Sequence, residues 1–236
     1  MSQHAGMRIR SIGAPEAPAL VLIHGLSSSP RSWQRNLAAL GADRRLLIVE
    51  LFPVDAGPRF SISGEAAALR SVLERETRPV AVIGHSLGGL IALSLAALAP
   101  NLVERLVLVS VPVSRQSRSV SSQLLAVATS GARTDLRSVA VVATTVLTAN
   151  PIQLAAATHA TLGADLAALA AQLPMPCLLV WGADDGIVPP DVGHQLASTI
   201  PDARLVLLEG AAHQPQWDAP DSFHAAVLPF LDARRG

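Results

Sequence analysis

Six short apolar runs, separated by helix-like stretches, restrict the fold of this chain more than any other feature. They are residues 19–23 (ALVLI), 45–51 (RLLIVEL), 80–83 (VAVI), 106–109 (LVLV), 177–181 (CLLVW) and 204–208 (RLVLL). Each is apolar on consecutive rather than alternate positions. That pattern predicts strands buried on both faces, as in a parallel sheet. Stretches at 33–40, 64–75, 87–98, 192–199 and 221–231 read as helices between them. Strand and helix alternate, so the prediction is a doubly wound, mostly parallel α/β sheet.

The length of 236 residues suits one domain. Half of the residues are hydrophobic, yet aromatics make up 3% and tyrosine is absent, so Ala, Leu and Val must fill most of the core. Formal charge is zero, without the basic excess of a nucleic-acid binder. The lone cysteine, Cys177, excludes an internal disulfide, and its apolar setting predicts an inert buried thiol. The first ten residues, MSQHAGMRIR, lack the apolar core of a secretion signal, and no apolar run is long enough to span a membrane. The expectation is a soluble cytoplasmic protein, with His4 in a loose terminus.

One region breaks the alternation. Residues 112–174 carry Ala, Leu, Ser and Thr at helical spacing, over a length too great for an ordinary loop. They predict a helical insertion or lid, leaving a core made of 1–111 and 175–236. The serine-rich stretch 110–122 (SVPVSRQSRSVSS) is the expected hinge.

The chemistry-bearing signal is Gly84-His85-Ser86-Leu87-Gly88, between an apolar strand and a helix-forming run. A sharp strand–nucleophile–helix turn strains the serine backbone and needs small residues two positions to either side. The bland alternative is a glycine-rich connecting turn. A serine hydroxyl needs a base, and of seven histidines His213 has the best position, in a loop after the last strand. His24 and His85 belong to motifs whose backbones are expected to matter more than their side chains. His159, His194 and His224 fall in helical patterns. An orienting acid should precede the base, and WGADDGIVP offers both Asp184 and Asp185, either of which could serve as a turn aspartate. Backbone N–H groups of Leu26 and Leu87 are the oxyanion-hole candidates, after an early strand and after the serine.

Four tracts together, HGLSSSPRSW at 24–33, GHSLGG at 84–89, WGADDGIVP at 181–189 and EGAAHQPQWDAPDSF at 209–223, resemble the α/β-hydrolase superfamily. The resemblance implies that fold, a helical cap at about 112–174, and a triad of Ser86, His213 and, four residues after the tryptophan, Asp185. The pattern is similar to carboxylesterases, enol-lactone hydrolases and pimeloyl-carrier-protein methyl esterases. Ser86 separates it from branches with an aspartate nucleophile, and the lack of tyrosine from epoxide hydrolases. It departs from the family at ELFPVDAGPRFS, where only Pro53, Gly57 and Ser61 echo a Pro-Gly-x-Gly-x-Ser stretch, and in its short N-terminal strand region MRIRSI.

The expected activity is cleavage of small or medium carboxylic esters through an acyl-enzyme, with no metal or organic cofactor called for. Arg115, Arg118, Arg133 and Arg137 outnumber Asp135 and Asp165 in the insertion. They could dock an acidic acyl carrier protein or simply solvate a helical surface. Rival readings are a carbon–carbon bond hydrolase, a haloperoxidase-like activity on the same triad, and a ligand-binding protein on this scaffold.

Overall fold

The six apolar runs are six of the eight strands in the computed structural model, which describes residues 2–4, 7–26, 28–53, 59–113 and 151–233. In chain order the strands are β1 (Ser2–His4), β2 (Met7–Ile12), β3 (Ala19–Ile23), β4 (Arg45–Glu50), β5 (Val80–His85), β6 (Val103–Val109), β7 (Cys177–Gly182) and β8 (Ala203–Leu208). Across the sheet they run β1-β2-β4-β3-β5-β6-β7-β8. Pairing is parallel from β4 to β8, and antiparallel for β1 with β2 and β2 with β4. His4, expected in a loose terminus, instead lies in β1, paired with Met7. The sequence MRIRSI forms β2.

Helices pack on both faces. The described ones are α1 (Leu37–Leu40), α2 (Ile62–Leu73), α3 (Leu87–Leu98), α4 (Pro151–Leu162), α5 (Ala167–Ala170), α6 (Pro190–Thr199), α7 (Pro215–Asp218) and α8 (Pro220–Asp232), with a 3₁₀ turn at Pro30–Trp33. The expected helix at 33–40 is thus divided. Ser29 caps the 3₁₀ turn, and Asn36 is pinned by long-range bonds, giving its amide N–H to Gln216 O at 2.9 Å and facing His224 Nε2 at 3.0 Å. Local helical spacing loses to these tertiary bonds.

Successive strand residues point to opposite faces, and each face here has its own core. Val21, Ile23, Val82 and Leu108 join α2, α3 and α6 in the larger one. Leu20, Leu22, Ile83 and Val109 join Trp33 and α8 in the other. This two-sided burial is why the strands read as continuous apolar runs. Ala, Leu and Val dominate, though Trp33, Trp181 and Phe223 are its bulkiest fully buried side chains. Cys177 is buried, and that burial, with the charge of Asp202, pushes its thiol up to about 12.

Of the expected insertion, α4 and α5 are described; α4 packs against α2, and α5 against α3 and α6. Arg115, Arg118, Arg133, Arg137 and Asp135 lie outside the described residues, as does most of the expected hinge. Among the described residues, no helix is long and apolar enough to cross a membrane.

Candidate active site

The chain passes from β3 to β4 on one side of β3 and then to β5 on the other. The direction of winding reverses there, so the carboxyl ends of β3 and β5 open a crevice instead of being closed by a crossover. The motifs at 24–26 and 84–88 meet at that place.

Ser86 follows β5 with φ 51° and ψ −117°, a region that penalises any residue with a Cβ. Its N–H still bonds Val109 O at 2.9 Å, keeping it in the sheet ladder, while Gly89 N–H turns back to Ser86 O at 2.9 Å and α3 begins. The flanking glycines are required by contact. A Cβ at Gly84 would stand 2.4 Å from Gly88 O, and one at Gly88 would stand 2.4 Å from Ile23 O. The hydroxyl is thereby raised at the N-terminal end of α3, where the helix dipole favours negative charge.

His213 stands in the loop between β8 and α7. Its Nε2 is 3.2 Å from Ser86 Oγ, and its Nδ1 is 2.9 Å from Asp185 Oδ2. A carboxylate can only accept, so Nδ1 carries the hydrogen and the Nε2 lone pair faces the hydroxyl. Asp185 is 3% exposed, and its other oxygen accepts from the N–H groups of Ile187 and Val188, each at 2.9 Å. Burial alone would raise its pKa. The neighbouring His213 and the bonds from His213 and Val188 N–H outweigh that and hold the carboxyl below its ordinary range. Asp184 is exposed, with its N–H on Ala211 O. The structure therefore joins Asp185 to His213, and Asp185 also serves as the turn aspartate.

Leu26 and Leu87 come to the same crevice. A Cβ added at Gly25, next to Leu26, would stand 3.2 Å from Ser86 Cβ, and Leu87 opens α3. Beside them the rings of Phe52 and His24 meet edge to face with centroids 6.0 Å apart, and Phe52 packs against Phe60 at 5.6 Å between centroids.

Two histidines dismissed on sequence grounds turn out to use their side chains. His24 donates from Nδ1 to Gly25 O at 2.8 Å and accepts at Nε2 from Leu51 N–H at 3.1 Å, tying the β3 loop to the end of β4. Burial lowers its pKa to about 4, against the bond to Gly25, so the ring is neutral. His85 donates from Nε2 to His213 O at 2.8 Å. Asp218, which the motif contained without marking, accepts from Ala212 N–H at 3.0 Å and also from Gln214 N–H. Burial pushes its carboxyl up despite those bonds. Nothing in the sequence flags such brackets, because their partners have no local signature.

Comparisons with known proteins find relatives along most of the chain. Residues 20–226 match the alpha/beta hydrolase family. A Pseudomonas savastanoi pv. phaseolicola protein, named by provisional assignment as the carbamate hydrolase RutD, is 31% identical over 93% of this chain and 95% of its own. The pimeloyl-[acyl-carrier protein] methyl ester esterase of Aliivibrio salmonicida is 27% identical, over 92% of this chain and 93% of its own. The crystal structure of the enol-lactonase from Burkholderia xenovorans LB400 superposes with a TM-score of 0.79 at 25% identity, over 98% of this chain and 100% of that one.

Proposed function

Because the chain belongs to the alpha/beta hydrolase family, and is thus a hydrolase, we propose that it is a serine hydrolase cleaving carboxylic esters of small or medium acyl groups. The observation that carries this reading is the bridge made by His213, with Ser86 Oγ at 3.2 Å on one ring nitrogen and the buried Asp185 at 2.9 Å on the other.

In the proposed reaction, His213 Nε2 takes the proton of Ser86 as its oxygen attacks the ester carbonyl. The carbonyl oxygen becomes negative and is held by the N–H groups of Leu26 and Leu87. Asp185, kept ionised, stabilises the imidazolium. The imidazolium then protonates the leaving alcohol as the carbon–oxygen bond breaks, leaving an acyl-serine. Water, deprotonated by the same imidazole, attacks the acyl-serine, and Ser86 leaves with its proton restored.

A fluorophosphonate probe should label the wild type and not Ser86→Ala. Labelling of Ser86→Ala at the wild-type rate would remove the nucleophile assignment. The substrate class follows from turnover on p-nitrophenyl acetate and butyrate beside an aryl carbamate, an enol lactone and a carrier-linked methyl ester. Preference for the carbamate or the lactone would replace the ester reading while keeping the triad.

A second reading is favoured by the likeness to the Aliivibrio salmonicida esterase. Residues 112–174 would form a cap over a core of 1–111 and 175–236, and Arg115, Arg118, Arg133 and Arg137 would dock an acidic carrier protein. Hydrolysis of the carrier-linked ester should then weaken with added salt and with Arg118→Glu, and insensitivity to both would end it. The proposed location is the cytoplasm, and cell fractionation tests it.

A further inference from the structure

We propose that His85 is a positioning residue for the base, donating a hydrogen bond to the backbone of His213 and so holding that loop in register with Ser86. The catalytic consequence rests on the serine reading above; the structural content does not.

Geometry assigns the ring. The His213 carbonyl, 2.8 Å away, can only accept, so the hydrogen of His85 sits on Nε2. Its Nδ1 then carries a lone pair, and that atom is buried with no hydrogen-bond partner among the described residues. An orphaned buried acceptor is unfavourable, so the bond made at the opposite nitrogen is what this ring is placed to provide. Gly25 makes room for it, since a Cβ at that position would stand 2.8 Å from His85 Nδ1 and 3.1 Å from Cε1. The rings of His85 and His213 lie 5.0 Å apart, inclined at 57°.

His85 and Ser86 are consecutive. The end of β5 therefore grips His213 twice, at its carbonyl through His85 and at its ring through Ser86. Burial, reinforced by His213 beside it, lowers the His85 pKa to about 3. The ring is a fixed neutral donor and does not compete as a base. Displacing a catalytic group by an ångström can cost up to about a hundredfold in rate, and this bond restrains the loop against such a shift.

His85→Met removes the donor and keeps an apolar filler, whereas His85→Gln retains an N–H at a similar reach. With p-nitrophenyl butyrate, His85→Met should lower kcat by about tenfold to thirtyfold, with KM within about twofold, and His85→Gln should recover most of the loss. A Met variant as fast as wild type, or a Gln variant as slow as Met, overturns the proposal. Where neither variant folds, long-range proton–nitrogen NMR of the wild type decides. The expected result is an Nε2-protonated neutral imidazole at His85 that does not titrate between about pH 5 and 8. The Nδ1 tautomer, or titration in that window, overturns it. The spectrum of Ser86→Ala should show the same tautomer whether or not the serine mechanism holds, which separates the two failures.

Discussion

Ser86 and His213 reach one crevice by different means. The turn carrying Ser86 is built within five consecutive residues, by a strained backbone and two glycines that allow α3 to close against β3 and β5. The loop carrying His213 turns through Gly210 at φ 69° and accepts Asp184 N–H at Ala211 O, but its ring and the backbone beside it are held by side chains reaching in from Asp185, His85 and Asp218. The difference teaches that the proposed nucleophile is preset by backbone geometry, whereas the proposed base is set by polar bonds from other elements, which single substitutions can remove.

The largest effect expected on this comparison is on the nucleophile side. Ser86→Ala should lower kcat on p-nitrophenyl esters by about four orders of magnitude or more, and a much smaller loss would break the comparison at its root. On the base side, Asp185→Asn should lower kcat by about a thousandfold or more, because the amide no longer holds the imidazole in the correct tautomer. Asp184→Asn, at an exposed position, should stay within about threefold of wild type.

Smaller effects sharpen the contrast. Asp218→Ala leaves the N–H groups of Ala212 and Gln214 without their acceptor, so kcat should fall about tenfold, with a stability loss of about 1–2 kcal/mol in urea unfolding. Gly88→Ala acts through the backbone instead. Its Cβ meets the backbone oxygen of Ile23, so stability should drop by about 2–3 kcal/mol, the cost of overpacking a rigid contact. Equal stability profiles for the two variants would erase the distinction drawn here.

A further expected effect lies in the pH dependence of stability, away from activity. Unfolded histidine takes up a proton near 6.5, while folded His24 and His85 resist until about 4 and about 3. Between those values the unfolded state binds more protons, so each ring contributes a loss of about 1.4 kcal/mol per pH unit as pH falls below 6.5. Glu65 acts in the opposite sense. Burial pushes it up to about 7, so its contribution declines as pH rises from about 4.5 to about 7. The wild-type slope mixes the two, and the variants separate them. His24→Gln and His85→Gln should each reduce proton uptake on unfolding at about pH 5 by about one. An unchanged slope in either would show that the ring is charged in the native state.

Much of the architecture was legible because burial on both faces leaves a local trace. The runs at 19–23 and 177–181 are strands as read, and 87–98 is the helix expected. The division of 33–40 was not legible, because Asn36 answers to Gln216 and His224 from the far end of the chain. In the candidate site, Ser86 stood out by its strand–helix setting. Residue pattern alone left Asp184 and Asp185 equal, and the structure separates them by burial and by the bond to His213. His24 and His85 were underrated, since a side chain that braces a loop looks no different in sequence from one that does not.

The sequence by itself determined the alternating sheet and the glycine-flanked serine turn, because hydrophobic periodicity and backbone strain act over neighbouring residues. Only the tertiary structure decided which aspartate meets His213 and what braces its loop. His85 and His213 are separated by 128 positions, and a hydrogen bond across such a span becomes visible only when the strands that lead to its two ends lie in one sheet.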